Sequence, residues 1–293
     1  MIFLKENSLV YLPIFGLVFI WAFFGPLLRF FESLGFNAFD VNFLAFGAGT
    51  TLLFLVFWLQ KTDLSLPNKS LAKKTFLYAA GLSSTNIFLF YAFTNSTIAN
   101  TIVLHYTALL WSAIWAVFFF REKMTKWKTI SIALTVAGIA FIFLPVLSLE
   151  SKYFFGNVSA LFSSFGYAAI ILASRSLKNE EPKRASFYGT LFCALIFLPF
   201  FILLGNAKSP SQFVAPAAFW AIYSTAEVLL LVYGMSKVSV IAANLVLVLE
   251  IPAAAALGVI FYSESLTAST LTGSILILCA TMILILKEKA GKA

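Results

Sequence analysis

Metal-binding and nucleophilic side chains are almost missing from this sequence, which has one histidine and two cysteines among 293 residues. His105, Cys193 and Cys279 lie far apart along the chain and no carboxylate cluster accompanies them, so neither a metal site nor a cofactor is expected. Both cysteines sit inside apolar runs, where a small weakly polar side chain packs easily, and they carry no redox signal. No glycine-rich phosphate loop occurs. Charge is scarce too: Asp, Glu, Lys and Arg make up 11% of the chain, against about 25% in a soluble domain. Such a chain cannot cover itself with polar surface.

What it has instead is 61% hydrophobic residues, among them 34 phenylalanines. A hydrocarbon slab about 30 Å thick needs roughly 20 apolar residues per helix, and such runs are expected at 8–31, 41–60, 75–95, 98–120, 127–147, 155–176, 185–204, 214–235, 239–262 and 268–286. Many are apolar on every face, as in a lipid-exposed helix, and none shows the ten-residue alternation of a membrane barrel. The first run is longer than a signal-peptide core and is read as a retained helix. The fold expected is an all-α membrane protein of ten transmembrane helices. Only short loops remain, which argues against a separate catalytic or nucleic-acid-binding domain.

The formal charge of +8 is a topology signal. With the N-terminus inside, every Lys and Arg except Arg29, Lys152 and Lys208 falls on the N-terminal side of the membrane. The positive-inside rule then puts both termini in the cytoplasm of a multi-pass cell (inner) membrane protein. The lipid bilayer is the expected partner, and no nucleic acid is.

Shifting the sequence by 142 residues aligns Tyr91 with Tyr233, Ala113 with Ala255, Val117 with Val259, Phe119 with Phe261, Glu122 with Glu264 and Thr125 with Thr267, without a gap. The copies start five helices apart. An odd number of spans inverts the second copy, so 1–150 and 151–293 are read as two inverted five-helix repeats, with Glu264 at the outer face and Glu122 at the inner one. Inverted repeats belong to secondary transporters, whose halves rock about a midplane site. An ion channel would need a filter or charged ring, and an intramembrane enzyme a nucleophile with its base. Neither pattern is present, so no enzymatic activity is expected.

The stretches Tyr91-Ala92-Phe93-Thr94-Asn95-Ser96-Thr97-Ile98-Ala99-Asn100, Trp115–Glu122 and Ala137-Gly138-Ile139-Ala140, with Glu250-Ile251-Pro252, Gly258, Glu264 and Gly273 in the second copy, resemble the drug/metabolite transporter superfamily, in particular its EamA-type ten-helix permeases. Three departures are Ala108-Leu109-Leu110, where the family usually has a helix-four proline, Ile251 between the Glu and the Pro of helix nine, and Asn42-Phe43, where an arginine is common early in helix two. The resemblance implies a permease for a small metabolite, an amino acid or related compound first and a choline-like or other organic cation second. Proton or counter-substrate coupling and a monomeric or homodimeric state complete the expectation.

Polar groups at membrane depth are costly unless they face the bundle interior or water. Glu227 is therefore read as either a cavity carboxyl or a protonated structural group bonded to a neighbouring helix, and Glu250 as either a cavity carboxyl or a helix-packing or hinge residue ahead of Pro252. His105 joins Thr97, Thr101 and Ser112 on one helical face, which should turn inward. Trp21, Trp111, Tyr167 and Tyr223 are the midplane aromatics, suited to binding a cation on their ring faces. Asn86 and Asn244 complete the candidate substrate site. Arg29 is expected to snorkel to the outer headgroups, Trp58 and Trp127 to sit in the aromatic belt, and Gly25-Pro26 to form a hinge in the first helix. Gly47 with Thr51, and Ala133 with Ala137, have small-xxx-small spacing that would bring helices close.

Overall fold

A computed structural model describes residues 11–120, 124–143, 152–177, 180–206, 209–237, 246–247 and 249–290. Among them run eleven helices: α1 (Leu12–Ser33), α2 (Ala38–Leu59), α3 (Lys69–Asn95), α4 (Ile98–His105), α5 (Ala108–Phe120), α6 (Lys126–Phe143), α7 (Phe154–Ser176), α8 (Pro182–Leu204), α9 (Pro210–Lys237), α10 (Glu250–Tyr262) and α11 (Ala268–Ala290). Because α4 and α5 are two parts of one span, the described residues form ten spans. Large apolar side chains cover the outside: Phe19, Trp58, Phe118, Phe155 and Leu203 are each at least 65% exposed. In water that surface would aggregate, whereas in hydrocarbon it is the solvated face.

Polar caps start and stop the helices. Asn37 and Asp40 form a reciprocal capping box at the start of α2, and Asn68, Thr97 and Glu181 accept backbone N–H bonds at the starts of α3, α4 and α8. Each satisfies donors that would otherwise be orphaned where the chain leaves a helix.

Packing follows a two-fold exchange of the repeats. Exchanging α1 with α7, α2 with α8, α3 with α9, the α4–α5 pair with α10, and α6 with α11 turns every major contact into another. Thus α3 packs on α7 as α9 packs on α1, α2 on α9 as α8 on α3, and α4 and α5 on α7 as α10 on α1. The α2–α8, α6–α11 and α4–α10 contacts map onto themselves.

Glycines allow the closest approaches. A Cβ on Gly138 would sit 2.6 Å from Ile277 Cγ1 and 2.8 Å from the Gly273 carbonyl oxygen, and one on Gly273 would meet Ile142 and the Gly138 carbonyl. That reciprocal contact joins α6 to α11. It passes through Gly138 rather than the expected Ala133–Ala137 pair. The expectation for Gly47 fails in the same way, since its Cβ would meet only Phe43 of its own helix, while Gly49 is the residue pressed against Ser224 of α9.

Two local expectations change. The first helix runs unbroken through Pro26, and Gly25 makes room for the Phe93 ring, which would lie 2.7 Å from an added Cβ. The fourth span, expected as one helix over 98–120, breaks at Tyr106-Thr107. There the N–H groups of Thr107, Leu109 and Leu110 bond carbonyls three residues back, the tight 3₁₀ pattern that interrupts an α-helix.

Candidate functional site

The break in α4–α5 recurs in the second repeat. α5 resumes at Ala108 and α10 begins at Glu250, positions separated by the 142-residue shift. Pro252 falls in the first turn of α10, where its missing N–H costs nothing. Glu250 therefore stands at the positive end of a helix that starts inside the membrane, where the helix dipole favours negative charge. Across the bundle Tyr106, in the other break, places its hydroxyl 2.6 Å from Glu250 Oε2 and 3.0 Å from the Leu247 carbonyl oxygen. Tyr106 and Glu250 are both buried, at 4% and 6% exposure.

On the neighbouring wall α1 meets α9. The Trp21 indole donates to Glu227 Oε1 at 2.7 Å, and the Tyr223 hydroxyl donates to the Ile20 carbonyl at 2.8 Å. Tyr223 also stacks on Phe24 with ring centroids 6.3 Å apart. One helical turn separates Tyr223 from Glu227, so both face α1. Glu227, Trp21, Tyr167 and Tyr223 are each half-buried. Glu250 lies within electrostatic reach of Glu227, and Tyr167 within reach of both.

α7 supplies the third wall. Tyr167 stacks on the His105 imidazole at 4.8 Å and 22°, and His105 Nδ1 lies 2.9 Å from Ser163 Oγ. Ser163 gives its own proton to the Ala160 carbonyl. The imidazole Nδ1–H is then the donor to Ser163. Of the expected polar stripe, Thr101, His105 and Ser112 are buried, and Thr97 is spent on the α4 cap.

The remaining candidates diverge. Trp111 donates to Thr107 Oγ1 at 3.2 Å and packs on Phe165 at 4.9 Å, beyond the break from Glu250. Asn86 bonds back to the Leu82 carbonyl of its own helix. Asn244 and Glu122 lie outside the described residues. Among the described residues no His, Cys, Asp and Glu group could hold a metal ion. Tyr106 and Tyr78 were missed by sequence reasoning. Tyr78, on α3, is in electrostatic reach of Glu227 and Tyr167, and the polar triplet His105-Tyr106-Thr107 within an apolar run was the available signal for Tyr106.

Arg29 does not snorkel. It forms an ion pair with Glu264 at 2.6 Å, donates to the Phe93 and Ser96 carbonyls at 2.5 Å each, and lies 4.6 Å above the Tyr262 ring centre. Glu264 in turn receives the Ile98 N–H at the start of α4. With the Ser96–Asn157 hydrogen bond, this cluster ties α1, α3, α4, α7 and the α10–α11 connection together at one end of the bundle.

A family model described as the EamA-like transporter family matches twice, over residues 8–144 and 154–286. The chain belongs to the EamA-like transporter family. The two matched segments coincide with the two halves that the packing exchanges, so this EamA-like chain is built from two inverted five-helix repeats. An uncharacterized transporter of Archaeoglobus fulgidus is 25% identical over 163 residues, 55% of this chain and 58% of the relative's own length. A solved crystal structure shares the fold, with a TM-score of 0.63 at 17% identity, covering 98% of this chain and 100% of that one.

Proposed function

We infer that this EamA-like protein carries a small amphipathic organic cation, an amine or quaternary ammonium with an apolar body, by alternating access. The observation that carries this reading is the Trp21–Glu227 pair, a half-buried carboxyl held by an indole at 2.7 Å beside Tyr223 and Tyr167. Aromatic faces and a carboxyl are the two surfaces that recognise an organic cation. Among the described residues, the cations that form ion pairs do so with Glu264, Glu180 and Asp63, away from Glu227 and Glu250. A zwitterionic amino acid would bring its carboxylate toward two carboxyls, so the geometry supports the amine over the amino acid.

Alternating access is supported by the matched breaks at Tyr106-Thr107 and before Glu250. Discontinuous helices at a repeat interface let one half rock against the other around a fixed midplane site. The Lys74 end of the bundle is assigned to the cytoplasm and the Arg29 end to the outside, in a cell membrane.

The test is counterflow of radiolabelled choline and benzylamine in proteoliposomes. The reading requires saturable exchange that Glu227→Gln and Trp21→Ala each weaken. Exchange of neutral amino acids with no competition from either amine would overturn it.

A further inference from the structure

Tyr106 has one hydroxyl proton and two buried acceptors, Glu250 Oε2 at 2.6 Å and the Leu247 carbonyl oxygen at 3.0 Å. A phenol donates one hydrogen bond, so both contacts are strong only if the carboxyl supplies a proton of its own. With Glu250 neutral, its acid O–H donates to the Tyr106 oxygen and Tyr106 donates to Leu247, and every group is satisfied. With Glu250 ionised, the Tyr106 proton turns to the carboxylate in a charge-assisted bond. The Leu247 carbonyl, buried just ahead of the break, then loses its donor. An unsatisfied buried carbonyl is costly.

We propose that Tyr106, from the first repeat, is a positioning residue that couples the protonation state of Glu250 to the helix break just ahead of it by moving its single hydroxyl proton between the carboxyl and the Leu247 carbonyl.

Three features of the fold carry the assignment. Tyr106 occupies the break of the first repeat while both of its acceptors flank the break of the second, so the relay crosses the repeat interface formed by α4 and α10. The pair is dry, since Tyr106, Leu247 and Glu250 are all buried, and no bulk solvent substitutes for the lost bond. The Tyr106 ring is held edge-on to His105 at 6.1 Å, leaving the hydroxyl proton as the part free to turn. Other groups facing the pair are His105 on α4, Tyr167 on α7, and Tyr223 and Glu227 on α9. Glu227 has its own donor in Trp21. The two carboxyls differ: Glu227 is half-buried and bonded to Trp21, whereas Glu250 is buried and faces the relay. The inference rests on the transport reading only for its consequence. The hydrogen-bond exchange exists with or without a substrate.

Two measurements test it. The first is choline counterflow against pH, choline being a permanent cation whose own charge does not titrate. Tyr106→Phe should compress a rate change of about tenfold between pH 6 and pH 9 to less than about twofold, and Tyr106→Trp should not restore it. A Tyr106→Phe profile that parallels the parent would overturn the relay while leaving the transport reading intact. The second is infrared difference spectroscopy of the full chain in nanodiscs with ring-labelled tyrosine, which needs neither transport nor a Tyr106 variant. A tyrosine band should change at the same pH midpoint as a carboxyl band, and both should vanish in Glu250→Gln. A carboxyl band lost in Glu250→Gln with no tyrosine band moving beside it would overturn the proposal even if Tyr106→Phe fails to fold.

Discussion

Arg29 Nη2 and Glu264 Oε1 lie 2.6 Å apart, with side chains 15% and 8% exposed, although 235 positions of sequence separate them. Their pairing joins α1 to the α10–α11 connection, and the same carboxylate caps α4. Breaking a buried pair leaves an uncompensated charge, which costs about 3–5 kcal/mol. Arg29→Gln or Glu264→Gln should therefore destabilise the protein by about 3 kcal/mol. Thermal unfolding in detergent measures this, and the Arg29→Met, Glu264→Leu double variant should lose less than the two singles added together.

Helix contact through Gly138 makes a contrast with Gly47. Gly138→Leu should cost about 1–3 kcal/mol, because Ile277 and the Gly273 carbonyl occupy the space. Gly47→Ala should be neutral or stabilising by up to about 1 kcal/mol, since alanine suits a helix better than glycine and only Phe43 is near. Chemical unfolding of the two variants side by side checks the difference. Equal losses would contradict the packing described.

Within the binding site, Trp21→Phe keeps an aromatic face and removes the indole donor to Glu227. Choline affinity in counterflow should fall a few-fold, while Glu227→Gln should lower it by about tenfold or more, equivalent to roughly 1.4 kcal/mol. If Trp21→Phe proves as damaging as Glu227→Gln, the indole N–H rather than the carboxyl is the main determinant.

Membrane sidedness can be read by cysteine labelling in a Cys193→Ser, Cys279→Ser background. Cysteines at Lys69 and Lys183 should react with an impermeant maleimide from the same side, and cysteines at Ser33 and Ser209 from the other. The two sets belong to opposite ends of the bundle, since Lys183 bonds Gln60 beside α3 while Asn206 bonds the Gly35 carbonyl beside Ser33. Intact cells and inverted vesicles should give reciprocal labelling. Reaction of Ser33→Cys and Lys69→Cys from one side would contradict the ten-span topology.

How far the sequence alone reaches depends on the range of the interaction. Hydropathy and the 142-residue shift are properties of local runs and of their repetition, so the ten spans and their inversion were legible in the residues themselves. The same is true of the inward polar stripe at Thr101 and His105, because a hydroxyl or imidazole on an otherwise apolar helix has to avoid lipid. The break at Tyr106-Thr107 was not legible: no proline or glycine marks it, and it is made by tight backbone bonds that a neighbouring helix must stabilise. Glu227 and Trp21 were each visible as polar or aromatic residues at depth, but nothing local joins side chains 206 positions apart. Arg29 misled for a related reason. A cation near a helix end reads as a snorkelling residue until its partner is known, and that partner came from the opposite repeat. The sequence by itself thus determined that this chain crosses a membrane ten times in two inverted halves, through the free energy of burying apolar runs and the charge of the loops. Only the tertiary structure decided which polar groups pair across the interface between those halves, because the pairing is set by how the helices cross.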